Sequence, residues 1–190
     1  MHALKYSFSL SLFLFSFWAM PASAVDISAG EQKSSTCAGC HGPKGKSSNG
    51  QWPNLAAQQS VYLVNQLKAF KAGERSNPMM QSMAANLSDE DINNLAAYYA
   101  GLPAVSAGGD TKLVEAGETI AVTVCTGCHG TTGGGADQFP RLAGQHSDYL
   151  VKQLDNFKTG ERKHGQMQAV AASLSEEDMK AVAAYFASLK

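Results

Sequence analysis

Two strings in this chain have residue types and spacing suited to chemistry. Cys37-Ala38-Gly39-Cys40-His41 recurs as Cys125-Thr126-Gly127-Cys128-His129, and together they use all four cysteines. Two cysteines three apart lie on the same side of a helical turn. Their sulfurs can add to the two vinyl groups along one edge of a haem, and the histidine one residue on then projects beneath the iron. One short segment so anchors a porphyrin and supplies its proximal ligand, which is why Cys-x-x-Cys-His is the attachment signal of c-type haem. Other readings fit less well. A structural zinc site wants its cysteine pairs close in sequence, whereas 84 residues separate Cys40 from Cys125. A thioredoxin-like pair wants a βαβ setting, and two plain disulfides would leave the histidine after each pair unexplained.

The sixth ligand decides what such an iron does: an open position admits peroxide or oxygen, while methionine closes it for electron exchange. The first half offers Met79, Met80 and Met83, and the matching loop of the second half offers Met167. At the gap-free offset of 87, Met80 meets Met167, Met79 meets Gln166 and Met83 meets Val170. The expected metal ligands are therefore His41 with Met80 and His129 with Met167, with Met79 and Met83 as packing residues. A ligating imidazole donates its other N–H to a carbonyl, and Pro53 and Pro140, twelve and eleven residues after their histidines, are placed to offer one. Arg75 and Arg162 read as partners of haem propionates or as solvated surface residues. His146 and His164 align with Gln59 and Asn77 and read as surface residues.

The elements that must position these groups are duplicated with them. Trp52-Pro53-Asn54-Leu55-Ala56-Ala57-Gln58 returns as Phe139-Pro140-Arg141-Leu142-Ala143-Gly144-Gln145, and residues 73–102 match 160–189 at sixteen of thirty positions without a gap. The architecture is a tandem repeat. Ser88-Asp89-Glu90-Asp91 and Ser175-Glu176-Glu177-Asp178 have the capping-box form, with Leu87/Ile92 and Leu174/Met179 as hydrophobic staples. The helices that follow put Ile92, Leu95, Tyr99 and Leu102, or Met179, Val182, Phe186 and Leu189, on one face. A second helix carries Tyr62, Leu63, Leu67 and Phe70, matched by Tyr149, Leu150, Leu154 and Phe157, and a third runs from about Asp26 or Leu113 into each cysteine motif. Strict two-residue alternation is absent, so the fold class is all-α. Units of about 80 residues are small for a self-sufficient core and usually lean on a metal, disulfide or cofactor.

Residues 1–24 read as a cleaved signal peptide, with Lys5, an apolar run from Tyr6 to Met20 and the small-x-small end Ala22-Ser23-Ala24. The alternative, an uncleaved anchor, wants roughly 20 apolar residues. The expected domains are then 25–103 and 112–190, joined by a linker at 104–111 that follows Pro103 and contains Gly108 and Gly109. Residues 25–104 carry 6 basic and 6 acidic side chains, residues 105–190 carry 8 and 10, and no basic run marks a nucleic-acid surface.

These motifs resemble the class I cytochrome c fold, and their doubling resembles the cytochrome c4 family of bacterial di-haem cytochromes. The likeness rests on Ala29-Gly30-Glu31 and Ala116-Gly117-Glu118, the Cys-x-x-Cys-His-Gly strings, the aromatic-Pro-x-Leu-Ala-x-x-Gln segments, Tyr-Leu-Val-x-Gln-Leu at 62–67 and 149–154, the Gly-Glu-Arg turns and the methionine loops. It implies two tandem domains about a pseudo-twofold axis, with two covalently bound haem c groups whose propionate edges lie near the interface. It also implies close packing of the first helix on the last at Gly30 and Gly117, near Tyr98 and Tyr185. The implied role is a periplasmic electron carrier, not an enzyme, between a cytochrome bc complex and terminal oxidases, docking transiently on redox partners. A monomer is expected, with loose membrane association in some members and no nucleic-acid partner. The alternatives are a di-haem peroxidase or dehydrogenase, or an electron-delivering subunit of a larger enzyme.

Overall fold

The computed structural model describes residues 24–190; the expected signal peptide falls on residues 1–24 and so lies, all but its last residue, outside them. Among the described residues the regular elements are helices, with an isolated bridge between Ala136 and Phe139. The first half contains α1 (Ile27–Ser34), α2 (Ala38–His41), a 3-10 turn (Pro43–Gly45), α3 (Ser60–Ala72), α4 (Pro78–Ala84) and α5 (Asp89–Ala100). The second repeats the series as α6 (Thr111–Val124), α7 (Thr126–His129), α8 (Ser147–Thr159), α9 (Gly165–Ala172) and α10 (Glu176–Ser188). No described helix is long and apolar enough to cross a membrane.

Local sequence sets where the helices begin. Both capping boxes form: the Ser88 hydroxyl accepts the Asp91 amide while Asp91 accepts the Ser88 amide, and Ser175 and Asp178 do the same. Asp26 and Asp110 cap α1 and α6 with their carboxylates. Gly73 and Gly160 end α3 and α8 in the left-handed conformation.

In each half the first helix crosses the last at a glycine. A Cβ on Gly30 would stand 2.2 Å from the Asn94 carbonyl oxygen, and one on Gly117 would stand 2.0 Å from that of Ala181. The neighbouring contacts are the Cβ atoms of Tyr98 and Tyr185, the places the resemblance implied. Side chains from the last helix and α3 or α8, joined in the second half by Ala121 of α6, complete the core: Leu63, Leu95, Ala96, Tyr98 and Tyr99 in one half, Ala121, Leu150, Ala183, Tyr185 and Phe186 in the other. Ile92 and Met179, the staple residues, are both buried. Burying a side chain of this size contributes about 1.5–3 kcal/mol, and so few per half leave each unit dependent on what else fills it.

The segment between the halves is non-helical through Asp110 and lies along α10, where the Ser106 hydroxyl donates to the Ala187 carbonyl. Contacts across the halves come in reciprocal pairs: Gln58 bonds Arg141 while Gln145 bonds Asn54, and Arg75 bonds Tyr149 while Arg162 bonds Tyr62. Equivalent residues exchanging equivalent contacts are the signature of a twofold relation, here a pseudo-twofold axis within one chain.

Candidate metal centres

Each histidine ends a four-residue helix whose N-cap is the first cysteine of its pair and whose third residue is the second, and the glycine after it turns the chain away. Gly42 and Gly130 have φ of 74° and 80°, which a side chain rarely adopts. His41 and His129 are buried, with 8% and 7% of their surface exposed. Nδ1 of His41 lies 2.9 Å from the Pro53 carbonyl, and Nδ1 of His129 lies 2.9 Å from that of Pro140. A carbonyl has no proton to give, so Nδ1 carries the hydrogen and Nε2 keeps its lone pair for a metal. Burial holds both imidazoles below their usual pKa, against the opposing pull of the proline carbonyls. Both rings are then neutral near pH 7, the form that ligates.

The four cysteines are not joined to one another. Burial pushes the Cys125 thiol up to about 11, the reverse of the depressed value a redox-active thiol requires. Met80 and Met167 are each the third residue of a short helix, half-buried, with their amides held by the N-cap side chain: Met80 N–H donates to Asn77 Oδ1 at 3.0 Å, and Met167 N–H to His164 Nδ1 at 3.4 Å. Met79 and Met83 do not pack as expected. They are 56% and 43% exposed, because α4 turns that side outward. An imidazole with a free Nε2, a thioether and two unpaired thiols in each half form a donor set that fits haem c and its iron.

The junction between the halves holds what sequence reasoning left unassigned. Gln58 and Gln145, seen only as the ends of a repeated motif, are 6% and 5% exposed and each grips the other half's backbone. Gln145 Oε1 accepts the Asn54 amide at 2.7 Å and its Nε2 donates to the Asn54 carbonyl at 3.0 Å. Gln58 Oε1 accepts the Arg141 amide at 2.8 Å and its Nε2 donates to the Arg141 carbonyl at 3.0 Å. The Asn54 side chain is itself engaged, accepting from the Ser47 amide and donating to the Gly144 carbonyl. Its counterpart Arg141 differs: Nε and Nη2 are buried without a partner among the described residues, and burial lowers its pKa. Two orphaned cationic donors beside the second centre suit an anionic group such as a haem carboxylate.

Arg75 and Arg162 are not solvated. Nη2 of Arg75 donates to the Tyr149 hydroxyl and to Gln153 Oε1, and Nη2 of Arg162 to the Tyr62 hydroxyl and Gln66 Oε1. Their Nη1 atoms donate to Gln66 and Gln153, so two guanidiniums share two amide oxygens, each also lying 4.6 Å over a phenylalanine ring, Phe70 or Phe157. Burial alone would raise the Tyr62 pKa, but Arg162 and Arg75 outweigh it and hold the hydroxyl below its usual range. His146 is also not a surface residue: half-buried, its Nε2 donates to the Ser47 carbonyl of the other half at 3.1 Å. His164 is exposed, as expected, and caps α9. A side chain's partner in the other half leaves no periodic mark, which is why these roles were hidden; the recurrence of Gln58 and Arg75 at matching positions was the available signal.

The family model described as Cytochrome c matches residues 27–102 and 114–190. A cytochrome c4 from Thiocapsa roseopersicina is 39% identical over 179 residues, covering 86% of this chain and 93% of that protein. A thiosulfate dehydrogenase electron acceptor from Stutzerimonas stutzeri strain A1501 is 38% identical over 170 residues, covering 80% of this chain and 78% of that protein. The crystal structure of reduced recombinant cytochrome c4 from Pseudomonas stutzeri superposes with a TM-score of 0.82 at 35% identity, covering 88% of this chain and all of that one.

Proposed function

The chain belongs to the cytochrome c4 family of di-haem electron carriers, and from that premise we propose which residues do the work and where. Family membership makes two covalently bound haem c groups its cofactor and electron transfer, not substrate turnover, its role. Cys37 and Cys40 form the thioethers of the first haem, and Cys125 and Cys128 those of the second. His41 and Met80 ligate the first iron, His129 and Met167 the second. The domains are 25–103 and 112–190 with a linker at 104–111, following a cleaved leader at 1–24.

When bound, each haem supplies an iron that accepts or releases one electron. The thioether ligand is soft and favours the ferrous state, so His/Met ligation raises the potential relative to two histidines. The Pro53 and Pro140 carbonyls orient the imidazoles and fix their tautomer. Arg141, with two donors lacking partners, is the cation for a propionate of the second haem. Met80 and Met167 would keep each iron closed to other ligands, and small, transient interfaces would serve redox partners. We place the protein in the periplasm, as a monomer between a cytochrome bc complex and a terminal oxidase. The S. stutzeri relative named as a thiosulfate dehydrogenase electron acceptor favours a second reading, in which the donor is such an enzyme; the chemistry of the chain is unchanged.

The observation that carries the ligand set is its exact repetition in place: histidine on a proline carbonyl, methionine third in a capped helix, in both halves. Absorption spectroscopy of the purified holoprotein tests it. Two low-spin c-type haems per chain are expected, with Met80→Ala abolishing the weak sulfur-to-iron band of one haem while Met83→Ala leaves both. Fewer than two haems, or loss of the band in Met83→Ala, refutes the assignment.

A further inference from the structure

We propose that each junction glutamine tunes the iron of the opposite half: Gln145 sets the reduction potential of the first-domain haem, and Gln58 that of the second. The inference rests on His41 and His129 being the proximal ligands.

One peptide unit, Pro53–Asn54, has both of its polar ends engaged. Its carbonyl accepts the Nδ1 proton of His41 at 2.9 Å, and its N–H donates to Oε1 of Gln145 at 2.7 Å. The amide is conjugated, so an acceptor drawing on the N–H pushes electron density onto the oxygen, and hydrogen bonds in such a chain strengthen one another. A more negative carbonyl pulls harder on the imidazole proton, and the ring becomes a richer donor through Nε2. A richer donor stabilises ferric iron and lowers the potential. The second centre has the same relay: His129 Nδ1 to the Pro140 carbonyl at 2.9 Å, then the Arg141 N–H to Gln58 Oε1 at 2.8 Å.

The glutamines are held for this task. Oε1 of Gln145 also accepts the His146 amide at 3.1 Å, and Oε1 of Gln58 accepts the Gln59 amide at 2.9 Å. With each Nε2 tied to the carbonyl of residue 54 or 141, neither carboxamide can turn over. The relay reaches each histidine from the other domain, so the influence is crossed. A glutamine acting only as an adhesive would give no crossed pattern.

Gln145→Met and Gln58→Met keep side-chain length and remove the acceptor. Each holoprotein is titrated optically, with the two haems told apart in Met80→His and Met167→His backgrounds, where the altered haem drops in potential. Gln145→Met should raise the potential of the first-domain haem alone, and Gln58→Met that of the second-domain haem alone. A shift confined to the haem of the mutated domain, an equal shift in both, or no shift overturns the proposal. If either variant fails to fold, redox-difference infrared spectroscopy of the unmutated holoprotein labelled with 13C-glutamine decides. A label-sensitive carbonyl band should move with each haem's reduction, and its absence at both potentials overturns the proposal. Absence of the low-spin His/Met spectrum from the unmutated holoprotein would instead refute the ligand assignment, so the two failures are distinguishable.

Discussion

Arg162 of the second domain donates to the Tyr62 hydroxyl of the first at 2.8 Å, and its counterpart Arg75 donates to Tyr149 at 3.0 Å. Among the described residues no carboxylate lies within ion-pair distance of either guanidinium. The half-buried charges are met by phenolic and amide oxygens and by the faces of Phe70 and Phe157, ring contacts that contribute about 0.5–2 kcal/mol each, more as water is excluded.

Tyr62→Phe removes one acceptor from this cluster and should cost about 1 kcal/mol. For a chain of this size, that is a fall of about 2–4 °C in the melting temperature of the holoprotein. Adding Tyr149→Phe should give a loss that departs from the sum of the two, because the six polar side chains share acceptors. Strict additivity would show two separate bonds, not one network.

Gly30→Ala places a methyl group 2.2 Å from the Asn94 carbonyl, so α1 must lift off α5. Overpacking of this kind costs about 1–3 kcal/mol, read as a lower urea midpoint with both haems retained. An unchanged midpoint would mean the crossing can open freely.

Arg141→Gln should lower the potential of the second-domain haem, since removing a nearby cation disfavours the incoming electron. The first haem should keep its potential, because Asn54 already stands at the equivalent place. A change in the first haem alone in an optical redox titration would contradict the placement of Arg141.

Acid should weaken the fold in part through Asp91. The Ser88 amide, and then Lys33, hold its carboxyl below the ordinary value of 3.8. A carboxyl depressed on folding contributes stability above its unfolded pKa and loses it as pH falls through the folded one. Urea midpoints measured from pH 6 down to pH 2 should therefore decline less steeply in Asp91→Asn, which starts lower at pH 6. Parallel declines would assign the acid sensitivity elsewhere.

Much of this was legible in the sequence because it is local. Capping boxes, staples and the Cys-x-x-Cys-His strings each lie within a few residues, and Ile92 and Met179 took the buried places their spacing implied. The Pro53 and Pro140 carbonyls could be foreseen because a ligating imidazole needs an acceptor and the repeat kept one at nearly equal distance. Tyr62 and Tyr149 were read for their rings, yet their hydroxyls do the bonding. His146 reads as a surface residue, and Arg75 as a propionate partner or a solvated one, because their partners lie 99 and 74 positions away. Met79 and Met83 misled in the opposite sense: apolar type suggested packing, but a seven-residue helix has too few turns to bury every side.

The glutamine grip on residues 54 and 141 touches only main-chain atoms, which has a consequence for the history of the gene. The grip itself therefore tolerates either side chain, while Asn54 adds a bond of its own across the join to the Gly144 carbonyl. Asparagine stands beneath one grip and arginine beneath the other. Two initially equal halves thereby acquired a site at which to become different.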